Sequence, residues 1–426
     1  MFTCSKCDAQ QLKWSGRCLE CGGWGTLSES GGETGGRASA VAEAKAADVV
    51  RLDSADLKSA ERRATTIGEL DRVLGGGVVA GSLVLLSGEP GIGKSTLAAM
   101  VGSAFGKAKP IIYASGEESA PQLSGRLKRL GVELNRIAYV GTTSVERVAK
   151  TIEKERPPLA IVDSVQTLTS SVLDFAAGGT SLVRYATNVL LETAKQTGVP
   201  ILLVGQVTKD GSVAGPKTLE HLVDVVLMLE GKSGYLTRLL RAGKNRFGST
   251  EEVGIFEMRE EGLVGVANPS AHFLEERAQT PGSIVTATLE GSRVFLVEVQ
   301  ALVETSVFAN PLRRATGFSE KRLLMLSAIL SRRAGVKLAD KDIYVNVVGG
   351  LRLTEPAADL AACLAIAGAL EKVSLKAQTI VFGEVGLGGE LRKVPGMERR
   401  EKEAKRLGFE TVISPATAKT LKELLS

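Results

Sequence analysis

GEPGIGKS, residues 88–95, decides how the rest of this chain is read. The stretch fits G-x-x-x-x-G-K-[ST], with Gly88, Glu89, Pro90, Gly91, Ile92, Gly93, Lys94 and Ser95 in register and Thr96 next in line. Its flanks make the match specific. GSLVLLSG (81–88) is an apolar run that reads as a buried strand, and KSTLAAMVGSAFGKA (94–108) reads as the helix that follows. Glycines in such a turn let backbone amides wrap a phosphate, and the helix N-terminus adds positive potential. Lys94 is placed to reach the β- and γ-phosphates, and the Ser95 hydroxyl to join a Mg²⁺ shell. ATP and Mg²⁺ are therefore the expected substrate and ion.

Downstream, PIIYASG (110–116), PPLAIVDS (157–164) and VPILLVGQ (199–206) read as further apolar strands. The segments 119–131 and about 180–197 read as helices between them. Apolar strands alternating with helices predict an α/β fold with a parallel, doubly wound sheet. Asp163, ending the strand LAIVDS, is placed like a carboxylate that holds the Mg²⁺ shell, although an Asp there also suits a helix cap. Glu117 and Glu118 follow the strand after the P-loop helix; one of them can activate the attacking water, or both can serve as first-turn helix acids. Gln206 closes its strand where it can sense a γ-phosphate, or merely mark a polar strand end.

Four of the five cysteines lie in the first 21 residues: Cys4, Cys7, Cys18 and Cys21 form C-x₂-C-x₁₀-C-x₂-C. Two such knuckles supply four thiolates, which suits a closed tetrahedral Zn²⁺ site that folds on metal. Cys363 stands apart and reads as a buried small hydrophobe. Residues 28–60 are rich in Gly, Ser, Ala and Glu and read as a flexible linker. The expected organisation is a zinc module at 1–27, the linker at 28–60, an ATPase domain at 61–275 and a C-terminal domain at 276–426. In that last part, 281–303 reads as a hairpin turning at Glu290-Gly291, 319–335 as an amphipathic helix and 342–349 as a strand.

A net charge of +5 is compatible with nucleic acid without proving it. MFTCSKCDAQ has no apolar core of a secretory signal, and no run approaches the ~20 apolar residues of a membrane span, so a cytoplasmic protein is expected. AGKNRFGSTEE (242–252) sets Lys244 and Arg246 between glycines beside an aromatic, a basic tip suited to phosphate on DNA or on ATP, or else a solvated turn. The Gly-rich segments 170–181 and 207–217, the latter with Lys209, read as substrate-side loops beyond the strand ends.

Together the four-Cys knuckle, GEPGIGKST, YASGEES, KNRFG and a C-terminal half similar to the Lon peptidase domain resemble the bacterial RadA (Sms) family of DNA repair proteins. The resemblance spans nearly the whole chain and implies a RecA-like core, with a small zinc module before it and an α+β Lon-protease-like domain after it. It further implies a homo-oligomeric ring, a hexamer, that acts on single-stranded and branched DNA in homologous recombination with the recombinase as partner. By the same resemblance Lys94, Ser95 and Asp163 hold nucleotide and Mg²⁺, and Glu117 is the catalytic carboxylate with Glu118 its rival. Lys244 and Arg246 act on ATP in trans, on DNA, or both. Where this family carries His at the strand end, this chain has Gln206.

VVGGLRLTEPAADLAACLAIAGAL (347–370) is similar to the Lon segment around its nucleophilic serine, but that serine falls at Ala357. The partner lysine falls at Glu398, with Lys402 one turn further on. Lon peptidases need a desolvated lysine to deprotonate a serine, so peptidase activity is not expected. Bases such as Arg313, Arg314, Arg332, Arg333, Lys337, Arg392, Lys393, Arg399 and Arg400 suggest a DNA-binding platform, or solvated helix faces. The leading expectation is an ATP-driven DNA translocase or helicase. An ATP-switched regulator or kinase of the clock-protein type is the alternative.

Overall fold

In the computed structural model, residues 2–29 (apart from 8 and 12), 62–173, 177–206, 219–231 and 236–425 (apart from 276 and 278) are described. The linker expected at 28–60 and the candidate Lys209 lie outside or almost outside them.

The apolar run before the P-loop becomes Leu83–Gly88 (β1), buried at every position. It lies inside a nine-stranded sheet with Ile111–Ser115 (β2), Ile137–Val140 (β3), Ala160–Asp163 (β4), Ile201–Gln206 (β5), Val225–Glu230 (β6), Thr237–Asn245 (β7), Val253–Arg259 (β8) and Gly262–Gly265 (β9). The spatial order is β9-β8-β7-β6-β1-β5-β4-β2-β3. The β6-to-β3 half is parallel, as the alternation of apolar strands and helices predicts. β7, β8 and β9 add an antiparallel extension that the sequence reading lacked, because short turns, not helices, join them. Helices Lys94–Phe105, Ala120–Arg129, Val145–Glu155 and Thr180–Thr197 cover the parallel half, and two aliphatic clusters fill its faces.

A separate six-stranded sheet holds the C-terminal half. Its backbone is the hairpin Ser283–Glu290 with Arg293–Thr305, paired Glu290 to Arg293 across the expected turn. Lys341–Val347 pairs with the second arm, and the helices Glu320–Arg333 and Asp359–Glu371 pack on the sheet. Gly349 and Gly350 take positive φ values of 82° and 74°, the left-handed turn that joins Lys341–Val347 to the Ala-rich helix. That helix is buried from Asp359 to Ala367. No helix among the described residues is long and apolar enough to cross a membrane.

The two sheets are joined by specific polar contacts. Glu69, which is buried, accepts from Ile255 N at 2.9 Å and from Arg293 Nη1 at 2.6 Å. Arg241 Nη2 pairs with Glu290 at 2.7 Å, and the Ser292 hydroxyl donates to Glu252 at 2.6 Å.

Candidate active site and metal centre

β1 ends at the P-loop because the chain must turn there with no room for side chains. A Cβ on Gly88 would stand 2.4 Å from the Leu229 carbonyl oxygen, and Gly93, at φ 114°, caps the helix that Lys94 opens. Lys94 is buried, and its Nζ donates to Gly88 O at 3.0 Å and Glu89 O at 2.8 Å. Burial pulls its pKa below the usual lysine value, partly offset by the charges of Asp163 and Glu117.

Neighbouring strand tips deliver the carboxylates. β2 pairs with β4 so that Ser115 lies opposite Asp163, and β5 pairs with β1 so that Gln206 lies opposite Gly88. The buried Ser115 hydroxyl accepts from the amides of Glu117 and Glu118 at 3.3 and 3.1 Å, which folds the acidic pair back over the strand end. Glu117 is exposed, and its Oε1 accepts from the buried Ser164 hydroxyl at 2.6 Å. Glu118 is instead paired with Arg126. Asp163 Oδ2 accepts from the Tyr113 hydroxyl at 2.5 Å.

One cavity of about 400 Å³ brings the P-loop residues Lys94, Ser95 and Thr96 together with Glu117, Glu118, Arg126, Asp163 and Gln206. Its size is that of a ligand site. A cradle of loop amides, an ammonium, hydroxyls and carboxylates is the donor set that Mg²⁺ and a triphosphate require. Ser95 and Asp163 are the residues that would hold the ion.

The KNRFG segment lies elsewhere. Lys244 is still within β7, opposite Val226, and Val226 is opposite Leu85 of β1. Arg246 N donates to Asp224 O, and Asp224 N donates to Leu83 O, each at 3.0 Å. Both bases therefore stand beside the beginning of β1, whereas the P-loop leaves its end. Gly88 lies five steps along the strand from Leu83, roughly 16 Å. The expected basic tip is also only half exposed to solvent as a pair. Lys244 Nζ is turned inward onto the carbonyls of Glu220 and Val223, and burial lowers its pKa. Arg246 is the exposed member, its Nη1 3.4 Å from Asp224 Oδ1.

In the zinc module, Phe2–Cys4, Gln10–Gln11 and Leu27–Glu29 form a small sheet that presents the two knuckles to each other. All four Sγ atoms lie within 4.8 Å of one another, with Cys4 to Cys21 at 3.7 Å and Cys7 to Cys18 at 3.6 Å. A tetrahedron with Zn–S bonds of ~2.3 Å has edges of ~3.8 Å, so the thiols fit the ion.

In the C-terminal domain, Ala357 is fully buried among Val285, Ala287, Phe382 and Phe409. Two bases counted in the sequence as DNA-facing are not available for it. Arg400 is fully buried, with Nη1 and Nη2 on Glu355 Oε1 and Oε2 at 2.8 and 2.6 Å. Arg313 is committed to the carbonyls of Leu312, Lys341 and Leu338 at 3.0, 2.6 and 2.9 Å. Arg314, Arg332, Arg333, Lys337, Arg392, Lys393 and Arg399 are exposed. Sequence reasoning missed Tyr113, Arg126 and Asp224: Tyr113 opens YASGEES without a role of its own there, Arg126 and Asp224 belong to no motif, and all three matter through what the fold sets beside them.

A phosphate-binding loop on the central strand of a parallel sheet, with acidic residues on the adjacent strand tips, defines an ATP-hydrolysing P-loop protein with a RecA-like core. Comparison with known proteins narrows the class. A family profile described as the KaiC ATPase matches residues 63–269, one described as a rubredoxin metal binding domain matches 2–29, and one for subunit ChlI of Mg-chelatase matches 304–418. Proteins named DNA repair protein RadA are similar over almost the whole length. That of Bacillus subtilis is 45% identical over 421 residues, covering 97% of this chain and 92% of its own. That of Pseudomonas aeruginosa is 45% identical over 424 residues with the same coverage, and that of Aquifex aeolicus 41% over 414. A solved structure of the RadB recombinase is 24% identical, with a TM-score of 0.39 over 48% of this chain and 99% of its own. The chain belongs to the RadA family of DNA repair proteins.

Proposed function

We propose that this protein is a cytoplasmic, ATP-driven motor that assembles as a hexameric ring and moves along single-stranded and branched DNA during homologous recombination, with the recombinase as its protein partner. The observation that carries the reading is the place of Arg246. It stands at the end of the sheet opposite its own P-loop, so its guanidinium meets a γ-phosphate only when a second protomer brings one to it. An ATP site completed by a neighbour makes hydrolysis a property of the ring, and a ring has a central path for DNA.

Within the site, Lys94 and the loop amides bind the β- and γ-phosphates, and Glu117 orients the attacking water and takes its proton. Ser95 and Asp163 would hold Mg²⁺, which would neutralise charge on the transferred phosphoryl group. Gln206 contacts the γ-phosphate from the tip of β5 as a neutral amide donor. Arg246, from the adjacent protomer, steadies charge developing in the transition state, while Lys244 braces the strand that presents it. The exposed bases of the C-terminal half, with Arg314 among them, contact the DNA backbone, and the domain is a platform without peptidase activity.

The test is the rate of ATP hydrolysis by the full-length protein with and without single-stranded DNA. Stimulation by DNA is expected; a confirmed ring that neither binds DNA nor responds to it would sink the reading. The KaiC match over residues 63–269 supports the second reading, an ATP-switched regulator or kinase. That protein would phosphorylate itself or a partner and ignore DNA.

A further inference from the structure

The carboxylate that faces the ion does not stand alone. Tyr113, fully buried on β2, donates its hydroxyl to Asp163 Oδ2 at 2.5 Å. That hydroxyl in turn accepts from Arg126 Nη2 at 3.1 Å. The same guanidinium pairs with Glu118, whose backbone carbonyl is pinned by the Tyr139 hydroxyl at 2.8 Å. Arg126 is carried by the helix Ala120–Arg129, which Ser119 caps directly after the acidic pair, and it lines the nucleotide cavity. Its Nε and Nη1 have no protein partner among the described residues, so its strongest anchors are Tyr113 and Glu118.

From this chain of contacts we infer that Arg126 and Tyr113 are positioning residues of the ATPase site, fixing Asp163 for Mg²⁺ and tying up the Glu118 carboxylate in an ion pair, while the Glu117 carboxylate beside it in the cavity is held only by the Ser164 hydroxyl. The inference rests on the ATP-site reading. The physical reason is directional. A donor on Oδ2 fixes the carboxylate rotamer and leaves Oδ1 as the oxygen free for the ion's shell. A phenol that accepts from a guanidinium is a stronger donor, because hydrogen bonds in series polarise one another. Burial of Tyr113 keeps water from replacing it. The pairing of Arg126 with Glu118 also gives the two adjacent acids different tasks, which their sequence does not distinguish.

The test uses the full-length protein and a fluorescent, non-hydrolysable ATP analogue, titrated in Mg²⁺ and again in chelator. The quantity read is the factor by which Mg²⁺ tightens binding. Tyr113→Phe keeps the ring and removes the hydroxyl; it is expected to cut that factor about tenfold, the usual effect of losing an outer-shell partner. Binding in chelator should stay within about twofold, since the loop amides and Lys94 are untouched. Arg126→Met should reproduce the loss, and the double variant should add little to either single one, because the residues act in series. Arg126→Lys, which keeps the charge but not the fork, should recover only part of the loss. A Tyr113→Phe protein with the wild-type factor, or one weakened equally with and without Mg²⁺, would overturn the relay. A wild-type protein whose binding Mg²⁺ does not tighten would overturn the ATP-site reading itself.

Discussion

Arg246 is tied to Asp224 twice, by its backbone N to Asp224 O at 3.0 Å and by Nη1 to Oδ1 at 3.4 Å. Asp224 is buried, and its Oδ2 also accepts from Leu83 N at 3.0 Å and Lys195 Nζ at 2.8 Å. The basic tip is thus anchored to the first residue of the P-loop strand, not to the loop. An anchored guanidinium is preorganised for an anion that arrives from outside the chain. Arg246→Ala should reduce ATP turnover on the order of 10³-fold, as for other arginines supplied in trans, with nucleotide binding changed far less. Comparable losses in binding and turnover, measured by fluorescence titration and phosphate release, would argue for a structural role instead.

Glu117 and Glu118 are adjacent, yet only Glu118 is ion-paired with an arginine; the Glu117 carboxylate accepts from the Ser164 hydroxyl. Glu117→Gln should lose at least about 10²-fold in turnover while binding ATP within a few-fold of wild type. If that variant turned over normally, the general base would have to be sought elsewhere in the cavity.

The loop after β4 is pinned by Glu146, whose carboxylate accepts from the Ser170, Ser144 and Ser171 hydroxyls and the Ser171 amide. Burial alone would push its pKa up, but the Ser170 and Ser144 hydroxyls and the Ser171 amide outweigh it and hold the carboxyl down to about 2, from 4.5. A depressed carboxyl stabilises the fold above its unfolded pKa and stops doing so as pH falls through the folded one. Glu146→Gln should therefore lower the melting temperature at pH 7, and the gap to wild type should close as pH falls from about 4.5 towards about 2. A gap that is independent of pH would refute the assignment.

Zinc removal separates the modules. The knuckle core is little more than Cys4, Cys18 and Leu27, so chelation should unfold residues 2–29. ATP binding by the nine-stranded core should survive. Loss of both together, followed by metal release and nucleotide titration, would contradict a modular design.

In the C-terminal domain the fully buried Arg400 depends on Glu355. Glu355→Ala leaves that charge without its partner and should cost about 3–5 kcal/mol in a denaturant melt. Ala357→Ser should produce no peptide cleavage, since the new hydroxyl would be fully buried in an apolar cluster, out of reach of a peptide. Cleavage of casein by that single variant would revive the peptidase reading.

Chemistry carried by near neighbours in the chain was legible in advance. The P-loop and the cysteine knuckles announce themselves by spacing, and Asp163 and Glu117 by following apolar strands. What escaped depends on distant parts of the chain meeting. Asp224 bonds to Leu83 across 141 residues, and Arg400 to Ala287 across 113. A buried arginine and an exposed one look alike in sequence, so nothing local separates Arg400 and Arg313 from the surface bases. The antiparallel strands β7 to β9 are hidden for a related reason: the basic residues and glycines of KNRFG suit a turn, whereas Lys244 and Asn245 complete a strand.

The central claim is that each ATP site is built from two protomers and serves a DNA motor. Its most direct test is ATP turnover, in the presence of single-stranded DNA, by mixtures of Lys94→Ala and Arg246→Ala proteins. Each variant alone should be inactive, but mixed rings contain interfaces with an intact Lys94 from one protomer and an intact Arg246 from the next. The account predicts DNA-stimulated turnover that rises on mixing and peaks near equal proportions. Turnover that stays at the sum of the two inactive parents, in rings shown to have exchanged subunits, would contradict it.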